Sequence, residues 1–223
     1  MRFLPRWCYH CHLFISAPFR SANRYLCRSC YRALPFQQEE VCSLCGLRHE
    51  SSMCRSAWAK DISSFHAIFR HEPPVNQWIG GLKYSRNLIA GNLLTLLAED
   101  WLRRHRKLYE DIDLAVPIPL HSYRLRFRGF NQSAFLLRRQ PYFPVATNVV
   151  EKTGSTPRQV GLSREDRRKN LKDSFSVSHL EKGTNVLLFD DVCTSGQTIR
   201  EASRTLQKAG AGKIRVLVLS RAM

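Results

Sequence analysis

A chain of 223 residues, 43% hydrophobic and 24% charged, is long enough for one well-packed domain and a small module beside it. Its composition excludes a disordered tract, no apolar run approaches the roughly 20 residues of a membrane span, and its first residues lack the apolar stretch of a secretion signal, so a soluble cytoplasmic protein is expected. The formal charge of +17 is spread along the chain, nine Lys and Arg against three Asp and Glu in residues 1–60 and 26 against 15 beyond, and such a surface either attracts polyanions by counterion release or is simply well solvated.

Residues 1–58 carry seven of the eight cysteines. They come as Cys8-x-x-Cys11, Cys27-x-x-Cys30 and Cys42-x-x-Cys45, followed by Cys54. Nothing routes the chain to an oxidising compartment, so the pattern reads as metal binding rather than a disulfide framework. The first two pairs are separated by 15 residues, and four thiolates in a tetrahedron suit structural zinc while leaving no open position for a catalytic water. Such a site carries about −2, which offsets part of the formal charge. Cys42, Cys45 and Cys54 supply three sulfurs. Ala57 stands where a fourth cysteine would complete the pattern; either His49 substitutes as a nitrogen ligand, or the second site is lost and its cysteines pack as core residues. Spacing does not decide whether the pairs interleave. His10 and His12 read as bystanders. Hydrophobic periodicity is poor here, so metal rather than a core is expected to hold the segment.

From residue 65 the pattern changes. Residues 65–69 read as a short strand ended by Pro73 and Pro74, and 75–82 as a short helix weakened by Gly80 and Gly81. Leu88, Leu93, Leu96, Leu97 and Trp101 fall near helical spacing and predict a helix over 87–107. Strands are expected at 114–118, 145–150, 186–189 and 214–219, with helices at 131–139, 163–172 and 197–209 between them. Ser163 and Asp166 form an acidic variant of the capping box, and Gly210 ends the 197–209 helix. Alternation of strand and helix implies a mainly parallel sheet flanked by helices, with ligands at the carboxyl ends of the strands.

The segment from Val186 to Thr198 carries the chemistry. Four apolar residues form a buried strand that delivers Asp190 and Asp191 at its carboxyl end. Paired acids there accept hydrogen bonds from ribose hydroxyls, directly or through Mg2+. Thr194, Ser195, Gly196, Gln197 and Thr198 then form a turn into a helix, whose N-terminal amides and hydroxyls suit a phosphate dianion. Cys193 reads as packing. Upstream, Arg124, Arg126, Arg128, Arg138 and Arg139 stand with no acid among them. Arg128, Asn131 and Gln132, with Phe130 between, would grip pyrophosphate, hold single-stranded nucleic acid, or merely start a basic helix with Phe130 in the core. Lys83 either reaches a phosphate as a point charge or plays a structural part. No Ser–His–Asp triad, Walker A loop or Rossmann glycine fingerprint is present.

The segment over 186–198 resembles the phosphoribosyl pyrophosphate (PRPP) motif of type I phosphoribosyltransferases. The chain as a whole resembles the ComF (ComFC/GntX-like) family, through the cysteines, Gly81-Leu-Lys-Tyr84, Val116-Pro-Ile-Pro-Leu120, Arg128-Gly-Phe-Asn-Gln-Ser133, and Gln159, Leu162, Ser163, Arg167 and Asn170. The resemblance implies a zinc ribbon over 1–58, single or double, and a phosphoribosyltransferase-like α/β domain over 59–223. It places the basic stretch 158–172 in a hood over the site, with Arg167 and Asn170 as ligand contacts. It suggests a competence accessory protein that handles single-stranded DNA, binds PRPP or another 5'-phosphoribosyl group with Mg2+, and works beside other competence-machinery proteins. A phosphoribosyltransferase with an unknown acceptor and a PRPP sensor without turnover are the alternatives, since fold alone does not settle function.

Overall fold

The computed structural model describes residues 7–15, 25–37, 40–49, 54, 56, 60–153 and 174–222. Four parallel strands form the central sheet: β1 (Ser64–Arg70), β2 (Leu114–Pro117), β5 (Val186–Cys193) and β6 (Ile214–Arg221), in the order β1-β6-β5-β2. A separate antiparallel ladder joins β3 (Val150–Lys152) to β4 (Phe175–Val177). Among the described residues the named helices are α1 (Arg28–Arg32), α2 (Val75–Ser85), α3 (Leu88–Arg104), α4 (Ser122–Arg128), α5 (Gln132–Leu137) and α6 (Gln197–Lys208), with a 3-10 turn at Arg106–Tyr109. No helix among the described residues is long and apolar enough to cross a membrane.

Side chains alternate across a strand, so the buried run in β5 feeds two cores. Leu187 and Phe189 join Leu217 and Leu219 of β6 beneath α2, α3 and α5. Val186 and Leu188 join Val216 and Val218 on the other side, against Ile199, Ala202 and Leu206 of α6 and against Val150 and Phe175 of the small ladder. The result is a mainly parallel sheet between two layers, with β5 in its interior and the carboxyl ends of the strands facing one way.

Several elements differ from the sequence expectation. Residues 145–150 do not form one strand. Val145 makes a single parallel bridge to Ala115, after which the chain turns away and Val150 begins β3 in the other ladder. Gly80 and Gly81 do not interrupt α2, because Val75, Trp78, Ile79 and Leu82 anchor it on both sides of the pair. Helix α4 has no apolar periodicity to announce it, since every one of its residues except Arg128 is exposed. The helix expected at 163–172 lies outside the described residues, as do Arg167 and Asn170, the ligand contacts that the resemblance implies.

Packing against the sheet domain also holds the cysteine-rich segment. Cys8, Leu26 and Leu34 are buried in the core that holds Trp78, Leu93 and Trp101. Residues 35–37 run along the outer edge of β1, with Phe36 bridging Phe69, Gln37 N–H donating to Ile68 and Arg70 N–H donating to Pro35. Tyr31 Oη donates to Asp100 of α3 at 3.0 Å, and Arg103 and Arg104 close the same carboxylate. Poor periodicity therefore reflects burial against a neighbouring surface rather than the lack of a core.

Gly46 shows how tightly this seam packs. Its φ is +69°, and an added Cβ would lie 2.4 Å from Cε1 of Phe65. Gly46→Ala combines left-handed strain with overpacking and is expected to lose about 2–4 kcal/mol of stability. Denaturant titration checks this, and an unchanged midpoint would contradict the packing described.

Candidate functional site

The site stands at the carboxyl end of β5. The strand runs through Asp190 and Asp191 to Cys193, four residues beyond the end expected at 189, and two adjacent carboxylates inside it require partners. Asp191 is buried and pairs with Lys83 Nζ of α2 at 2.9 Å. Asp190 accepts from Ser133 Oγ of α5 at 3.1 Å and from the Asp191 N–H at 2.9 Å. Burial, then the charge of Asp191, pushes the Asp190 carboxyl up to about 7, against the pull of the Asp191 amide, Lys83 and Ser133. Lys152 of β3 faces the same group; burial and then Arg124 lower its pKa, and Asp190 opposes the shift. His71, hydrogen bonded through Nδ1 to Ser220 Oγ at 2.8 Å, is lowered by burial and then by Lys83.

The turn that follows has the form an anion requires. Thr194 and Ser195 are exposed, and Gly196 takes φ +75° to start α6. Among the described residues no side chain caps the first amides of α6, and no acid stands in its first turn. Gln197 and Thr198 are half-buried at its start. Free first-turn amides and the helix dipole favour a phosphate there. Cys193 is buried beneath the turn, as packing requires.

The upstream candidates separate. Asn131 caps α5, accepting from Ser133 N–H and Ala134 N–H, and its amide donates to the Ile118 carbonyl at 2.9 Å. Gln132 is buried and accepts from Arg128 at 2.9 Å, while the Arg128 guanidinium lies 5.6 Å from the centre of the Tyr84 ring. Phe130 packs against Phe135. These residues shape the wall of the cleft. Beside it, a cavity of about 270 Å3 is lined by Lys83, Tyr84, Ser85, Arg86, Phe127 and Arg128. It opens onto α4, which exposes Tyr123, Leu125 and Phe127 alongside Arg124 and Arg126. Sequence reading overlooked Lys152 and His71, which only the fold brings within electrostatic reach of the acids, and it named Arg124 and Arg126 without foreseeing the helix that carries them.

The cysteines form two separate clusters and do not interleave: Cys8, Cys11, Cys27 and Cys30 in one, Cys42, Cys45, His49 and Cys54 in the other. Within each, the ligand atoms lie within 4.8 Å of one another. The Cys11 and Cys27 sulfurs are 3.8 Å apart, matching the edge of about 3.8 Å in a tetrahedron with 2.3 Å zinc–sulfur bonds. His49 Nε2 is 2.9 Å from Cys45 Sγ and fills the place that Ala57 cannot. The clusters share one knuckle. Cys8 N–H donates to Leu13 and Cys42 N–H to Leu47, each five residues on, and positive φ recurs at His12 and Gly46, four residues after the first cysteine. Burial, with the neighbouring sulfurs, pushes the Cys30 thiol far above its ordinary range and Cys45 up to about 11, whereas backbone and side-chain hydrogen bonds outweigh burial and lower Cys8 to about 7 and Cys54 below its ordinary value. Both donor sets fit a structural metal such as zinc. His10 lies against Trp78, outside the clusters.

Comparison with known proteins agrees with this arrangement. Competence protein F of Haemophilus influenzae is 32% identical over 241 residues, covering 100% of both chains. The chain belongs to the ComF family. DNA utilization protein YhgH of Escherichia coli K12 is 30% identical, over 99% of each chain, and competence protein ComFC of Streptococcus pneumoniae is 26% identical, over 91% of this chain and 90% of that one. The phosphoribosyl transferase domain model matches residues 136–223, which include the acid pair, the turn and α6. As a ComF-family protein the chain therefore joins a phosphoribosyltransferase-like domain to cysteine clusters that fit a zinc ribbon.

Asp190 generates a test of this electrostatic picture. Its folded pKa of about 7 lies above the unfolded value near 3.9, so its contribution to stability is complete below about pH 4 and is lost as pH rises through 7. Asp190→Asn removes that loss. The melting temperature of the variant relative to the parent should rise between pH 5 and pH 8, reaching an advantage of at least roughly 2–4 °C. A difference that stays flat with pH would contradict the raised carboxyl.

Proposed function

We propose that this protein is a cytoplasmic competence accessory protein that handles single-stranded DNA and binds PRPP, or another 5'-phosphoribosyl group, at the carboxyl end of β5. One observation carries the reading: an acid pair held by Lys83 and Ser133 leads directly into an uncapped helix start at Gly196. The turn from Thr194 to Thr198 takes the 5'-phosphate on its amides and hydroxyls. Asp190 and Asp191 take the ribose hydroxyls, directly or with Mg2+, which would accompany the pyrophosphate and neutralise its charge. Lys83 and Lys152 balance the acids while the site is empty of cation, and Lys83 is free to turn to the pyrophosphate once Mg2+ replaces it. Arg167 and Asn170, ligand contacts by the family resemblance, would add to the same site.

The DNA part of the reading draws on the names of the relatives and on the surface beside the cleft. The H. influenzae relative is a competence protein, and the E. coli relative a DNA utilization protein. On this chain, α4 joins Arg124 and Arg126 to the exposed rings of Tyr123 and Phe127, and the adjoining cavity adds Arg86, Arg128 and Tyr84. Cations tracking a backbone and rings stacking on bases are what single-stranded nucleic acid requires. Other competence-machinery proteins are the expected partners.

Calorimetric titration of PRPP with Mg2+ should give saturable binding that weakens at least about 100-fold in Asp190→Asn/Asp191→Asn, the cost of two charged hydrogen bonds. Equal affinity in the variant would sink the assignment. Pyrophosphate release dependent on an added acceptor would make the protein a transferase, whereas tight binding with neither turnover nor DNA affinity would make it a sensor. For DNA, Arg124→Ala/Arg126→Ala should lower the slope of log affinity against log salt by about 1.4, two contacts at roughly 0.7 each. An unchanged slope in fluorescence anisotropy would place DNA elsewhere.

A further inference from the structure

Arg221, the last residue of β6, is buried, and its guanidinium spans two parts of the molecule that the sequence holds far apart. Nε donates to the Cys45 carbonyl at 3.1 Å. Nη1 donates to the Cys193 carbonyl at 2.9 Å and to the Thr194 carbonyl, and also reaches the Ala222 carbonyl at 2.7 Å. The Ala222 N–H adds a bond of 2.9 Å to Cys193. A single cation thus ties the second cysteine knuckle to the first peptides of the phosphate turn.

Peptide geometry gives this tie a consequence. In a trans peptide the carbonyl of one residue and the N–H of the next point in opposite directions. Holding the carbonyls of Cys193 and Thr194 toward Arg221 therefore aims the amides of Thr194 and Ser195 away from it, out of the protein side of the turn. The guanidinium is planar and presents its donors in a fixed fork, so its tilt is shared between both ends. At the other end, the position of the Cys45 carbonyl depends on the knuckle from Cys42 to Gly46, which a metal held by Cys42, Cys45, His49 and Cys54 would fix.

We propose that Arg221 is a positioning residue that couples the metal at the Cys42, Cys45, His49 and Cys54 cluster to the phosphate turn, so that metal and phosphorylated ligand strengthen each other's binding. The proposal rests on the reading of residues 194–198 as the 5'-phosphate site. By linkage, whatever factor the metal adds to ligand affinity, the ligand adds to metal affinity.

The test uses the full chain loaded with Co2+, whose visible spectrum separates a three-sulfur, one-nitrogen site from a four-sulfur site. Competition with a chelator of negligible Mg2+ affinity then reads metal affinity at the second cluster, with and without PRPP and Mg2+. PRPP should raise that affinity about tenfold in the parent and leave it unchanged in Arg221→Gln. In calorimetry Cys54→Ser should weaken PRPP by the same about tenfold, and the double variant should lose no more than Arg221→Gln alone. Ligand-independent metal affinity in the parent, or additive losses in the double variant, would overturn the coupling. If Arg221→Gln fails to fold, the parent competition and Cys54→Ser still decide it. If the parent binds neither PRPP with Mg2+ nor inorganic phosphate, the assignment of the turn itself falls, and the coupling with it; binding without coupling overturns the coupling alone.

Discussion

Two carboxylates on neighbouring residues at the end of a buried strand repel each other and lose their hydration, and much of the surrounding structure answers that problem. Helix α2 supplies Lys83 to Asp191, α5 supplies Ser133 to Asp190, and β3 brings Lys152 within electrostatic reach. These three come from two layers, α2 and α5 on one face of the sheet and β3 on the other, and from residues about 40 to 110 positions upstream in the chain, so the acid pair is assembled only in the folded domain. Burial first, and then the charge of Asp191, still raises the Asp190 carboxyl against these partners. On the proposed reading, this acid pair and the helix start beside it would together take a ligand that carries both a cation and a phosphate.

The parallel sheet makes this concentration possible. Its strands end on one side, so groups from β5, from the segment after β1 and from the N-terminus of α5 meet there. The cysteine-rich segment wraps the edge of β1 and contributes to both cores, Cys8 to one and Cys45 to the other. Its first cluster is braced on α3 through Tyr31 and Asp100, and its second on β6 through Arg221. The segment is thereby fastened to both faces of the sheet.

What could be read in advance follows from how local each signal is. The apolar run of β5, the two acids and the Thr-Ser-Gly turn are contiguous, so the strand and the turn stood out without knowledge of the fold. The cysteine spacings likewise foretold a four-sulfur cluster, and His49 was within view as the replacement for the ligand missing at Ala57. Residues 145–150 misled because one β-rich stretch serves two ladders, each too short to impose its own period. Helix α4 was hidden because an exposed helix needs no apolar stripe. Asn131 and Gln132 allowed a ligand-binding or a helix-start reading, and spacing alone could not show that Asn131 caps α5 while Gln132 holds Arg128. Lys152 and Arg221 carried no sequence signal, since an isolated basic residue in a basic chain gains meaning only from what it meets in space.

The central claim is that the Thr194 to Thr198 turn receives a sugar 5'-phosphate while Asp190 and Asp191 hold its ribose. Amide chemical shifts report this most directly, because a phosphate accepting hydrogen bonds moves the N–H resonances that donate to it. Titrating PRPP and Mg2+ into the isotope-labelled protein should shift the amides of Ser195, Gly196, Gln197 and Thr198 saturably, with the amides of Asp190 and Asp191 following the same curve. Shifts confined to α4 and the cysteine clusters, with the turn unmoved, would contradict the account.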